Sequence, residues 1–256
     1  GRGSGIDGGV GNRMGMRRRP SPVPQRRRQC SEVRRYALGV DTRMFSYRPP
    51  AQGRGSRPFT FLTVGSLVPV KNHKGMLLAL AEVRRRAPNA DVRLQIAGAG
   101  PLRRPLEQVA SRLELEGYVD FLGEVRHEQL PDVVGLADCF LLGSYHEAQC
   151  MALLEAMACG RPWVAPPVGS AVDCADFGQG GDPSGVLARG QGGGDLADAM
   201  LRVLDLDSPA LEAMGLAARS LIETHYELGT QAARLADLLA ALTQDEPIVT
   251  IQSASA

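Results

Sequence analysis

Two carboxylates stand eight residues apart in Ser144-Tyr145-His146-Glu147-Ala148-Gln149-Cys150-Met151-Ala152-Leu153-Leu154-Glu155-Ala156-Met157-Ala158-Cys159-Gly160. Glu147 falls in a turn between an apolar run and a helical pattern, and Glu155 lies about a turn and a half inside that helix. Its neighbours Leu153, Leu154 and Met157 are apolar, and a carboxylate buried among such residues is costly unless hydrogen-bonded. Sugar and ribose hydroxyls are natural donors to acceptors of this kind. His146-Glu147 begins like a zinc-protease helix, but position 150 is Cys, so the second ligand of that motif is missing. Two carboxylates at one helix start fit the binding of a diol better than the flanking of a scissile bond. On spacing alone, surface ion pairs remain the competing reading.

A second turn, Gly65-Ser66-Leu67-Val68-Pro69-Val70-Lys71-Asn72, carries a cation just before a helix. Gly65 permits close backbone approach, and Asn72 can cap the helix that follows. A lysine beside free helix N–H groups suits a phosphate, although taken alone the motif reads more simply as a solvated loop. A third turn, Gly98-Ala99-Gly100-Pro101, precedes a helix in which Pro101 suits the first turn. Arg at position 103 excludes the dinucleotide fingerprint, and no Gly-x-x-x-x-Gly-Lys-Ser/Thr run exists.

The elements that must position these turns alternate. Strand patterns cover 59–65, 91–97, 119–122, 139–142 and 162–166. Between them lie helical patterns over 72–87, from 101, from 128 and over 150–158; consecutive helices follow from 195 to 242. Such alternation predicts an α/β fold, a doubly wound parallel sheet of Rossmann-like type with helices at its C-terminal end. The expected organisation is an arm over residues 1–35, a linker over 36–58, a Rossmann-like domain over 59–243, and a polar tail over 244–256.

Composition narrows the classes. Of 256 residues, 44% are hydrophobic and the net charge is +1, enough for one domain with a sizeable core. The charge is uneven: residues 1–35 hold ten arginines against Asp7 and Glu32, a net +8, leaving −7 for the rest. The acidic body argues against a nucleic-acid partner. The arm, with triplets at 17–19 and 26–28, has neither aromatic nor helical accompaniment. It is expected to be disordered, and its composition resembles GC-rich DNA translated outside its frame. Five cysteines without a CxxC pair indicate neither a disulfide framework nor a zinc site. No apolar run reaches membrane-spanning length, and no signal core opens the chain. A cytoplasmic setting is expected, with peripheral contact at the inner face of a membrane left open.

Taken in order, the motifs resemble the family-four retaining glycosyltransferases of GT-B fold, specifically their C-terminal nucleotide-sugar-binding domain. Gly39-Val40-Asp41-Thr42 with Phe45 comes first, then Val64-Gly65-Ser66-Leu67 with Lys71. Ile96 to Pro101 and Phe121-Leu122-Gly123-Glu124-Val125 follow. The Glu-x7-Glu motif of Glu147 and Glu155 is next, and Val168-Gly169 and Gly185-Val186-Leu187 complete the set. The resemblance spans about 36–242.

It implies a donor site of Gly65, Ser66, Lys71, Val125, Arg126, Glu147, Ala148, Gln149, Cys150, Met151 and Glu155. Glu155 would bind ribose hydroxyls, and Glu147 would contact the transferred sugar. Lys71 would neutralise the leaving diphosphate, with backbone N–H groups at 149–151 sharing that task. Val125 and Arg126 would hold the base by backbone contacts. Glu147 and Lys71 are thus the expected catalytic pair. Transfer would proceed with retention, without metal or cofactor, from a nucleoside-diphosphate sugar to an acceptor of unknown class (glycan, lipid or small molecule). Ser66 stands where many members carry Arg, and Cys150 where Gly is usual. Nothing before residue 59 resembles the family's acceptor domain, so the chain alone is expected to have little transferase activity. An inert nucleotide-sugar-binding or interaction module is the alternative.

Overall fold

The computed structural model describes residues 36–49, 57–177 and 183–243; the expected arm over 1–35 and tail over 244–256 lie outside them. The strands are β1 (Phe59–Val64), β2 (Val92–Ala97), β3 (Val119–Gly123), β4 (Cys139–Leu141), β5 (Trp163–Ala165) and β6 (Gly185–Leu187). They form one six-stranded sheet in the order β3-β2-β1-β4-β5-β6, every pair parallel. The helices are α1 (His73–Arg86), α2 (Arg103–Arg112), α3 (Leu130–Leu136), α4 (Met151–Ala158), α5 (Ser170–Phe177), α6 (Gly193–Leu204), α7 (Ser208–His225) and α8 (Leu228–Thr243). The expected doubly wound parallel sheet is the fold observed.

Strand residues alternate between two apolar layers, as a sheet covered on both faces requires. Phe59, Phe61, Val92, Leu94, Ile96, Cys139, Leu141 and Val164 belong to the layer shared with α1 and α6. Leu62, Phe140, Leu142, Trp163 and Ala165 belong to the layer shared with α4 and α7.

Two departures from the sequence reading concern the elements themselves. Pro101 lies ahead of α2 rather than in its first turn: the chain first makes a tight turn, with Leu102 N–H donating to Leu67 C=O at 3.1 Å and Arg103 N–H to Gly100 C=O at 3.2 Å. Short α5 and β6 carried too little periodicity to be recognised as elements.

Residues 36–48, expected to be linker, are packed onto the domain. Phe45 is buried, and Val40 bridges to Glu227. Arg219 on α7 donates to the carbonyls of Phe45 and Ala158, both at 2.7 Å. No helix among the described residues is long and apolar enough to cross a membrane.

Candidate functional site

In an open parallel sheet, neighbouring strands whose connections leave in opposite directions open a crevice at their carboxyl ends. Here that point lies between β1 and β4. The turn carrying Lys71 follows β1, and the turn carrying Glu147 follows β4. Sheet order therefore brings together two segments 76 residues apart. Lys71 Nζ lies 2.7 Å from Glu147 Oε1, and the same oxygen accepts from Ser144 Oγ at 2.6 Å. The Glu147 side chain is 10% exposed and that of Lys71 29%.

Local structure holds each partner. Asn72 adopts a left-handed conformation (φ 51°) and caps α1, its side chain accepting from Gly75 N–H. Its amide nitrogen donates to the carbonyls of Gly143 at 3.0 Å and Gln191 at 3.2 Å, tying the Lys71 turn to the end of β4. Gly65 lies under the Lys71 stem; a Cβ there would sit 3.6 Å from Lys71 Cε. Gly169 backs the other side: its own Cβ would come within 2.9 Å of the Glu147 Cβ and carbonyl oxygen.

A cleft of about 480 Å³ opens at the ends of β1, β2 and β3, lined by Gly65, Ser66, Gly98, Gly100, Glu124 and Val125 among others; it meets the Lys71 turn through Gly65 and Ser66. The glycines are a packing requirement. A Cβ on Gly98 (φ +146°) would lie 2.0 Å from the Gly65 carbonyl oxygen, so the turns after β1 and β2 meet backbone to backbone. Arg126 is exposed, and its guanidinium Nε donates to Gln129 at 3.3 Å.

On α4, Met151 is the first helical residue and Cys150 the N-cap. The Cys150 N–H, one of the three expected to share the diphosphate, donates to Ser170 Oγ at 3.1 Å. Those of Gln149 and Met151 remain the helix-end candidates. The Gln149 side chain pairs with both backbone groups of Leu38, each at 2.8 Å; exposed Ala148 continues the turn. Cys150 itself is buried, and burial, reinforced by the Glu147 charge, pushes its thiol up to about 11. Lys71 and Glu155 also act on that thiol, placing it among the charged groups of the site.

Glu155 is 13% exposed, and its Oε1 lies 2.9 Å from His127 Nε2. Sequence reading missed His127 and Ser170, to which nothing in local pattern points; Ser144 entered it only as part of the motif.

Comparison with known proteins gives the family and the fold. Residues 48–221 match the family model described as glycosyl transferases group 1. The GDP-mannose-dependent alpha-(1-6)-phosphatidylinositol monomannoside mannosyltransferase of Mycobacterium tuberculosis is 32% identical over 215 residues, covering 78% of this chain and 54% of the relative. The chain thus spans about half the length of that relative. Among solved structures, Anabaena Alr3699/HepE in complex with UDP and glucose superposes with a TM-score of 0.66 at 22% identity, covering 79% of this chain and 55% of the other. The C-terminal domain of the glycosyl transferase group 1 family protein LpcC from Francisella tularensis gives 0.62 at 21% identity, covering 74% of this chain and 100% of that domain.

Proposed function

This chain belongs to the glycosyl transferases group 1 family, and on that premise we propose that it is the donor-binding part of a hexosyltransferase. The nucleoside-diphosphate sugar lies across the cleft at the turns after β1, β2 and β3 and reaches the turn after β4 that carries Glu147. The observation that carries the reading is the Lys71–Glu147 pair at the switch point of the sheet. It sets a cation for the diphosphate beside a carboxylate for sugar hydroxyls.

In this reading Lys71 turns from Glu147 toward the leaving diphosphate, whose charge grows as the glycosidic bond breaks. A preorganised cation and helix-end N–H groups are the main lever on such a step. The same groups meet the phosphate charge without a metal ion. Glu147, held by Ser144, orients the transferred hexose, and Glu155 takes the ribose diol. Ser66, exposed at the cleft, contributes a hydroxyl and no charge, leaving Lys71 as the cation of this turn. Transfer occurs with retention to an acceptor (glycan, lipid or small molecule) whose recognition we assign to no residue of this domain.

The mannosyltransferase relative is GDP-mannose-dependent by name, which makes GDP and GDP-mannose the first ligands to test. Calorimetric titration with GDP, UDP and ADP, in the presence of EDTA and alongside Glu155→Ala, tests the reading. Selective binding of one nucleotide, lost in the variant and indifferent to EDTA, is expected. A folded protein that binds none of the three overturns it.

A further inference from the structure

We infer that His127 is the positioning residue for Glu155, and that it links the base side of the cleft to the ribose carboxylate; this rests on the donor-site reading above. Glu155 is a charged group in an apolar frame, with Leu153, Leu154, Ala156, Met157 and Ala158 of the same helix all buried. A carboxylate at 13% exposure requires donors. Among the described residues its hydrogen-bond partner is His127, at 2.9 Å. An ionised carboxylate only accepts, so Nε2 carries the proton in this contact.

The His127 side chain is 57% exposed and is oriented by two contacts, the carboxylate and a ring. Its ring packs against Phe45, centroids 5.3 Å apart at 57°, and Phe45 is held in the core by Arg219 through its carbonyl. Phe45 on one side and the carboxylate on the other set the orientation of the ring. With Oε1 held by His127, Oε2 is the oxygen presented to a vicinal diol. His127 also opens a short 3-10 turn, His127–Gln129, which Arg126 separates from Glu124 and Val125 and which runs into Leu130; these last three line the cleft. One hydrogen bond thereby joins the base-side loop to the ribose-side carboxylate, 28 residues away in sequence.

The test uses the whole chain and its affinity for GDP, UDP and ADP, each compared with its 2′,3′-dideoxy counterpart. Wild type is expected to favour the ribonucleotide. His127→Ala should weaken ribonucleotide binding about tenfold, as loss of a hydrogen bond to a charged group predicts, and leave dideoxynucleotide binding unchanged. His127→Gln, whose amide nitrogen reaches the place of Nε2, should retain most of the discrimination. In a Glu155→Ala background the His127→Ala change should have no further effect. If wild type discriminates and His127→Ala discriminates equally well, the positioning role is overturned while the donor-site reading stands. If wild type binds nucleotide without preferring the ribose form, the ribose role of Glu155 falls and the inference with it. Thermal unfolding of each variant separates loss of binding from loss of fold.

Discussion

Lys71 Nζ sits 2.7 Å from Glu147 Oε1 across the gap between the ends of β1 and β4, so the two charges neutralise each other before any donor arrives. A phosphate that recruits Lys71 must compete with this carboxylate. Glu147→Gln removes the competing charge while its amide can still accept from Ser144. This variant should bind free GDP or UDP as well as wild type or better, while its preference for the sugar-nucleotide over the free nucleotide falls. Lys71→Ala should weaken binding of the nucleoside diphosphate by about tenfold or more and leave binding of the corresponding nucleoside unchanged. Parallel titrations with nucleoside, nucleoside diphosphate and nucleotide sugar measure all three effects.

The contact between the first two turns predicts a sharp contrast between glycines. Gly98→Ala places a methyl group 2.0 Å from a carbonyl oxygen at φ +146°. Backbone must move, and we expect destabilisation of about 3 kcal/mol or more. Gly117 also has positive φ (+80°) but faces open space, so Gly117→Ala should cost only about 1–2 kcal/mol. Urea unfolding of the two variants distinguishes them.

His73 predicts a pH dependence of stability. It is 2% exposed, its Nδ1 has no hydrogen-bond partner, and burial, with Lys71 adding repulsion, pulls the imidazole down to about 4. Between that value and the ordinary 6.5, the unfolded chain binds a proton that the folded chain does not. Stability contributed by neutral His73 is therefore present above pH 6.5 and lost as pH falls toward 4, about 3 kcal/mol in all. His73→Gln should flatten this segment of the stability curve, measured by denaturant unfolding from pH 4 to 7.

The thiols should be inert in the folded protein. Burial pushes Cys150 and Cys159 up to about 11 and Cys174 up to about 12, and raises the fully buried Cys139 well above the ordinary thiol value. Thiolate, the reactive form, is then scarce at neutral pH. In a Cys30→Ser background, Ellman's reagent at pH 8 should react slowly with native protein and fully in denaturant. Rapid labelling of Cys150 would show that the α4 N-terminus opens in solution.

Arg219 predicts how firmly the segment before β1 is held. Its guanidinium serves the carbonyls of Phe45 and Ala158 and pairs with Glu223 at 2.7 Å. Arg219→Ala strands two carbonyls, at about 1–3 kcal/mol for each that stays buried. Hydrogen exchange over 40–48 should rise more than over β1, and ribonucleotide binding should weaken as Phe45 loosens behind His127.

Local pattern determined much of this protein. The alternation of strand and helix periods is written in single segments and predicts the parallel sheet. Asn72 as the cap of α1, and the placement of Glu147 in a turn and Glu155 within a helix, follow from residues a few positions apart. Only the tertiary structure decided which of these residues meet. Lys71 reaches Glu147 because strand order puts β1 beside β4, and strand order leaves no trace in local periodicity. Ser170 takes the Cys150 amide, Gln149 pairs with Leu38, and His127 holds Glu155 for the same reason. Each partner is supplied by a segment distant in sequence, whose position depends on the packing of the whole sheet and its helices.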